Sequence, residues 1–260
     1  MMVPDEFKFR LFRSKPLDKP EYADRLYSLL DAWKYKPVKF NDVEPLRNAW
    51  ENRDVFIRQF LINSRSTFGT LMCKWSKPTL HLSVTWFRGP TSKCHSLSLF
   101  GASVKQFGND ALDLVGLADQ LFESFEFDYG FACLNSEYYH SNIYTDVQID
   151  ERTIQPVQVV GMEWPDCIPG LYWCNYFGKA YFEQGFGRRI ADLPNTTKLA
   201  NGIRLMRSDS ALDWESPEDR ERTQSLMETL GRDWFFTKET GIPDKALKTN
   251  KSLFLKPLPQ

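Results

Sequence analysis

Proton transfer, nucleophilic attack and metal binding fall most naturally to histidine and cysteine, and this 260-residue chain has His81, His95, His140 and five cysteines. Cys94 and His95 are adjacent. Neighbouring residues on a strand point to opposite faces, so these two do not form a nucleophile–base pair. His81 and His95 fall on two runs that read as partner strands and could meet across a hairpin. Two histidines without a third ligand make a poor metal site, so satisfied strand histidines are expected, with no metal and no cofactor. The sequence contains no G-x-S-x-G elbow, no G-x-x-x-x-G-K-[ST] phosphate loop and no H-E-x-x-H pair. Gly185-Phe186-Gly187-Arg188-Arg189 could cradle an anion, but a helix C-cap followed by a turn is the expected reading. Carboxylates are plentiful, and no spacing selects a pair for acid–base work.

The expectation is therefore a protein that binds rather than catalyses. The enzyme alternative is a hydrolase using His81, His95 and an acid from the middle of the chain. It requires those groups in one concave pocket with perturbed pKa values. A scaffold protein is the third reading.

The charges are segregated along the chain. Residues 1–107 carry 18 Lys/Arg against 10 Asp/Glu, a net +8. Residues 108–178 carry 12 acids against Arg152 alone, a net −11, and residues 179–260 are close to balanced at +2. The acidic block also holds Tyr129, Tyr138, Tyr139, Tyr144 and Trp164. Acids steer a basic protein toward encounter and aromatics anchor it, whereas nucleic acid would be repelled. The alternative is that these acids are solvated charges that never meet. On the binding reading, the expected contact residues are Glu137, Tyr138, Tyr139, Tyr144, Asp146, Asp150 and Glu151. They lie on a polar, aromatic stretch, 136–156, read as a long loop.

The positioning elements follow from periodicity. Phe7, Phe9 and Leu11 alternate with Lys8 and Arg10, which is strand spacing. Asp18, Pro20 and Glu21 resemble a capping box opening a helix whose buried face is Tyr22, Leu26, Leu29, Leu30 and Trp33. Residues 43–62 read as mostly helical. Thr79–Arg88 and Lys93–Ala102 read as a hairpin around a Gly-Pro-Thr-Ser turn. Asn109 would cap a buried helix over 110–125, and Tyr129–Leu134 reads as a strand. Further strands are expected at Gln155–Met162, Leu171–Phe177 and Gly202–Met206, and a short helix at Tyr181 and Phe182. Ser216-Pro217-Glu218-Asp219 starts a last helix. The elements are mixed without strict alternation. The expected class is α+β, with mainly antiparallel sheet and flanking helices, as one domain over 1–260 or as two α+β halves dividing near 107. Residues 244–260 read as a tail. No charged leader with an apolar run opens the sequence and no run is long enough to span a bilayer, so a cytoplasmic protein without a membrane partner is expected.

The order of three patterns resembles the immunity protein 52 family, bacterial proteins encoded beside polymorphic or type VI secreted toxins. Val84-Thr85-Trp86-Phe87 followed by Ser96-Leu97-Ser98-Leu99-Phe100-Gly101 resembles the family's ribbon after an N-terminal helix. Ile168-Pro169-Gly170-Leu171-Tyr172-Trp173-Cys174-Asn175-Tyr176-Phe177-Gly178 resembles its central aromatic strand. Gly202-Ile203-Arg204-Leu205-Met206, Asp209 to Trp214, the helix 217–231 and Gly241-Ile242-Pro243 resemble its closing strand and helix. The resemblance spans roughly residues 6–243. It implies a cytoplasmic inhibitor of a cognate toxin, typically a nuclease of restriction-endonuclease-like fold. Trp173, Tyr176 and Phe177 then belong to the core.

Overall fold

The alternating run at the start of the chain places a strand in the middle of the sheet. The structure, a computed structural model, describes residues 5–88, 93–104, 111–144, 158–159, 164, 167–182, 186–237 and 241–243. The elements are β1 (Glu6–Arg13), α1 (Pro20–Ala32), β2 (Lys39–Asn41), β3 (Asn48–Ala49), α2 (Arg53–Ser64), β4 (Phe68–Trp75), β5 (Leu80–Arg88) and β6 (Lys93–Ser103). They continue with α3 (Ala111–Phe125), β7 (Tyr129–Leu134), α4 (Asn135–Asn142), β8 (Ile143–Tyr144), β9 (Gln158–Val159) and β10 (Cys174–Gly178). The chain then forms α5 (Lys179–Phe182), α6 (Phe186–Ala191), β11 (Thr196–Leu199), β12 (Gly202–Met206) and α7 (Pro217–Leu230).

Ten strands make one antiparallel sheet in the order β11-β12-β10-β7-β1-β6-β5-β4-β2-β3, while β8 and β9 pair separately. The fold is α+β. β1 pairs with β6 on one side and β7 on the other, so the sheet runs unbroken across the charge boundary near 107.

Register assigns every strand residue to a face, because cross-strand partners point the same way. One face is apolar along its length. Phe9, Leu11, Leu71, Leu82, Val84, Trp86, Leu97, Leu99 and Tyr176 are all at most 2% exposed there, packed in one core with buried residues of α1, α2 and α3. The opposite face changes character at β1. Beyond it, Phe12, Tyr129, Phe131, Phe177, Ile203 and Leu205 pack with Tyr138, Trp164, Tyr172, Tyr181 and Phe186 in a second core. On the other side, through β6, β5 and β4, the same face carries Ser98, Phe100, Thr85, Ser83, His81, Thr70, Met72 and Lys74, which are half-buried or exposed.

Several expectations are corrected. Residues 43–62 are helical only from Arg53, with β2 and β3 before it. Pro45 explains the late start: it lacks an N–H and holds Glu44 away from helical geometry. Asp18 does not cap α1; the N-cap is Lys19, without a side-chain bond, and Asp18 instead pairs with Arg88 at 2.9 Å. The stretch read as a loop from 136 is helical to Asn142. The strand expected at Leu171–Phe177 begins at Cys174, because the Asn175 side chain folds back to bond Tyr172 N and O at 3.0 and 2.7 Å. Ser216 does cap α7, accepting from Asp219 N at 3.1 Å. Asn109, the turn at 89–92 and the tail 244–260 lie outside the described residues.

Candidate protein interface

The acidic block does not form one surface. Six of its twelve acids are described, and all six are engaged within the fold. On α3 and its C-terminal turn, Asp113 pairs with Lys34, Asp119 with Arg204, and Glu126 with Arg13 at 3.5 Å. Glu123 accepts from Ala200 N at 2.7 Å, and Asp128 accepts from Ser14 N and Oγ, both at 2.7 Å. Glu137 lies on the other face of the sheet. The sequence-local excess of acid is thus answered by cations from the flanking blocks, and the expectation of a gathered acidic surface is corrected for these six. Asp110, Asp146, Asp150, Glu151, Glu163 and Asp166 lie outside the described residues.

Glu137 belongs to a buried ionic cluster. Arg207, following β12, is 4% exposed and places Nη1 2.6 Å from Glu137 Oε1 and 2.9 Å from Leu171 O. Its Nη2 is 2.7 Å from Asp219 Oδ2 at the start of α7. Arg207 therefore joins α4, the segment before β10, and α7. Burial pushes the Glu137 carboxyl up to about 7, against the pull of the Arg207 guanidinium and its hydrogen bond. Sequence reasoning missed this cluster. No sequence signal marks it: Glu137 follows Asn135 and Ser136, Arg207 precedes Ser208 and Asp209, and Asp219 lies between Glu218 and Arg220.

Of the seven expected contact residues, Glu137 and Tyr138 are each 2% exposed. Both are corrected as contacts: their side chains are committed to Arg207 and to the second core. Tyr138 stacks on Phe131 at 5.9 Å and on Tyr172 at 6.1 Å, and burial raises its hydroxyl to about 12. Tyr139, the next residue on α4, is 55% exposed. Tyr144 is in β8, and nothing is described of its side chain. Asp146, Asp150 and Glu151 lie outside the described residues.

The histidines do not converge. His81 faces Phe100 across the hairpin, stacked at 5.5 Å, whereas His95 pairs with Trp86 and is fully buried on the opposite face. The expected meeting of His81 and His95 does not occur, because an odd number of positions separates His81 from Trp86. His140 lies beside Trp214 on α4. All five cysteines are free. Among the described residues, no three His, Cys, Asp or Glu side chains are grouped to hold a metal. Of the proposed anion cradle, Arg189 instead donates to Leu230 O at 3.2 Å, closing the end of α7. Gly187 permits Phe182 to approach, since a Cβ there would sit 2.3 Å from Phe182 Cα.

What the fold does offer is the face of β4, β5 and β6, running up to β1, that no described helix covers. Its side chains fall into four rows across the strands. Phe68 and Phe87 form one end row, 66% and 41% exposed. Next come Thr70 and Thr85, with Ser96 and Phe12 closing the row where it becomes buried, then Met72, Ser83, Ser98 and Arg10. The far row is Lys74, His81 and Phe100, with Lys8 beside them on β1 after a bulge. Arg10 Nε donates to Ser98 Oγ at 3.2 Å. Lys8 lies 4.0 Å from the Tyr138 ring centroid and 5.9 Å from that of Tyr139. α4 thus stands as a step at the edge of this floor, with Tyr139 on its exposed side. No helix among the described residues is long and apolar enough to cross a membrane.

No protein-family model and no curated protein matches the chain. Among solved structures, Pseudomonas aeruginosa T6SS protein PA0821 is similar in fold, with a TM-score of 0.57 and 12% identity over 96% of this chain and 84% of that one. A structure of the toxic C-terminal tip of CdiA from Pseudomonas aeruginosa in complex with immune protein matches 51% of this chain and 88% of that chain at 14% identity, with a TM-score of 0.30.

Proposed function

We propose that this chain is an immunity protein: it binds a cognate secreted toxin in the cytoplasm and neutralises it by covering it, without catalysis of its own. The observation that carries this reading is the uncovered half of the sheet. A floor of paired strands edged by exposed Phe68, Phe87, Phe100 and Tyr139 is suited to a protein partner, because aromatic anchors on a supported surface dominate interface energetics. Fold likeness along nearly the whole chain to a type VI secretion protein supports the setting, as does the ordered resemblance to the immunity protein 52 family. That resemblance also supplies the toxin class, a nuclease of restriction-endonuclease-like fold.

The test is co-expression with the product of the adjacent gene. A stable complex on size-exclusion chromatography and restored growth are expected. If the neighbour is toxic and this chain neither binds it nor rescues growth, the reading fails.

A further inference from the structure

The uncovered half-sheet has a defined chemistry as well as a defined place. Lys8 is half-buried against the rings of Tyr138 and Tyr139, and it makes no ion pair with any described residue. Arg10 sits two residues along on the same face, so two like charges lie side by side. Burial, with Arg10 adding to it, pulls the Lys8 ammonium below its usual range. Lys74, exposed at the other end of the same row, also has no described ion pair. Among the described residues, the acids whose charge reaches His81 are Glu44 and, at the end of β1, Glu6.

Strand and residue spacings make the floor roughly 15 Å by 20 Å. That is less than the roughly 800 Å² that each partner buries in a standard interface, so an occupant must also reach the step formed by α4 and its exposed Tyr139.

We propose that the toxin docks on this half-sheet through an acidic segment, whose carboxylates seat on Lys8 and Lys74 while its apolar side chains pack against the Phe68–Phe87 and His81–Phe100 pairs. The proposal rests on the immunity reading for the identity of the partner and reverses the sign of the partner surface expected from charge sums. A single-stranded nucleic acid also favours cations and rings. It stacks successive bases on neighbouring rings, however, and here two rows of mostly hydroxyl side chains separate the ring pairs by roughly 20 Å.

Two measurements on the full chain test it. The first is an NMR titration with a blocked peptide of six glutamates around one tryptophan, run beside a ten-residue oligothymidylate. The peptide should shift the amides of Lys8, Lys74, His81 and Phe100. Binding should fall at least tenfold in the Lys8→Glu/Lys74→Glu variant and stay unchanged in Arg58→Glu, a charge reversal at an exposed position of α2. Shifts centred elsewhere, equal loss in Arg58→Glu, or tighter binding of the oligonucleotide would overturn the proposal. The second is affinity for the adjacent gene product, where the same double variant should bind at least tenfold more weakly with an unchanged thermal melt. If the wild-type complex forms and the double variant retains it, the docking site is wrong and the immunity reading stands. If no wild-type complex forms, the immunity reading fails, and the peptide titration still decides whether this face accepts acidic segments.

Discussion

Beyond β1 toward β10 and β12, the sheet is covered on both faces; through β6, β5 and β4 it is covered on one. The sequences of the strands differ accordingly. All six residues of β7 (Tyr-Gly-Phe-Ala-Cys-Leu) and all five of β10 are buried. β5 alternates through Leu80, His81, Leu82, Ser83, Val84, Thr85 and Trp86, with only the apolar positions buried. A strand between two layers has no face for polar side chains, whereas a strand under one layer gives alternate positions to water. The covered half also contains the Arg207 cluster, whose three charged side chains are buried. Burial on both faces thus lies on one side of β1 and an accessible face on the other.

The most severe challenge to this contrast is Arg207→Ala. It leaves Glu137 and Asp219 buried without their cation, and a loss of about 3–5 kcal/mol is expected in urea unfolding. A loss under about 1 kcal/mol would mean that the cluster does not tie the covered half together. The pH dependence of the same site comes next. Because the folded protein raises the Glu137 carboxyl from 4.5 to about 7, chiefly by burial, the folded state holds that proton more tightly than the unfolded chain. Its contribution is complete below about pH 4.5 and is lost as pH rises through about 7. Wild type should lose on the order of 2 kcal/mol over that window relative to Glu137→Gln, measured by unfolding at each pH. A flat difference between the two proteins would contradict the assigned environment.

Tyr172→Phe should cost about 1–2 kcal/mol, because it removes the buried hydrogen bond that the Tyr172 hydroxyl donates to Asn142 Oδ1 at 2.6 Å. The smallest effect belongs to the open half. Ser83→Val and Thr85→Val should each change stability by less than about 0.5 kcal/mol, read as shifts in the urea midpoint. A change above about 1 kcal/mol would show that this face is covered, and the comparison would collapse.

Much of the framework could be read from residue spacing. Phe7, Phe9 and Leu11 announce β1, while Tyr129–Leu134 and Gly202–Met206 coincide with β7 and β12. Patterns that rely on apolar periodicity fail where burial is polar. α4 buries Glu137 and Asn142 beside Tyr138, so its sequence resembles a loop until Arg207 and Tyr172 are brought to it by the fold. β4 escaped notice although Leu71, Cys73 and Trp75 alternate, and the short β2, β3 and β11 offer too few residues for a period. The charge map failed for a different reason. A running sum along the chain cannot register that Asp119 meets Arg204, or Glu137 meets Arg207, across separations of 85 and 70 residues. The open face was written in the alternation of β5 and β6, but alternation alone does not say whether a second layer lies above the polar side.

The central place of β1 also constrains how the chain acquires its structure. Phe9 must wait for Leu99 on one side and Ala132 on the other before its strand is paired. During synthesis at about 5–20 residues per second, that leaves an alternating apolar segment without neighbours for on the order of ten seconds. Closure over such long sequence separations is entropically slow, so folding should behave as one late, cooperative event joining both sides of the molecule. Deleting the first strand would then abolish both halves together instead of releasing either one intact.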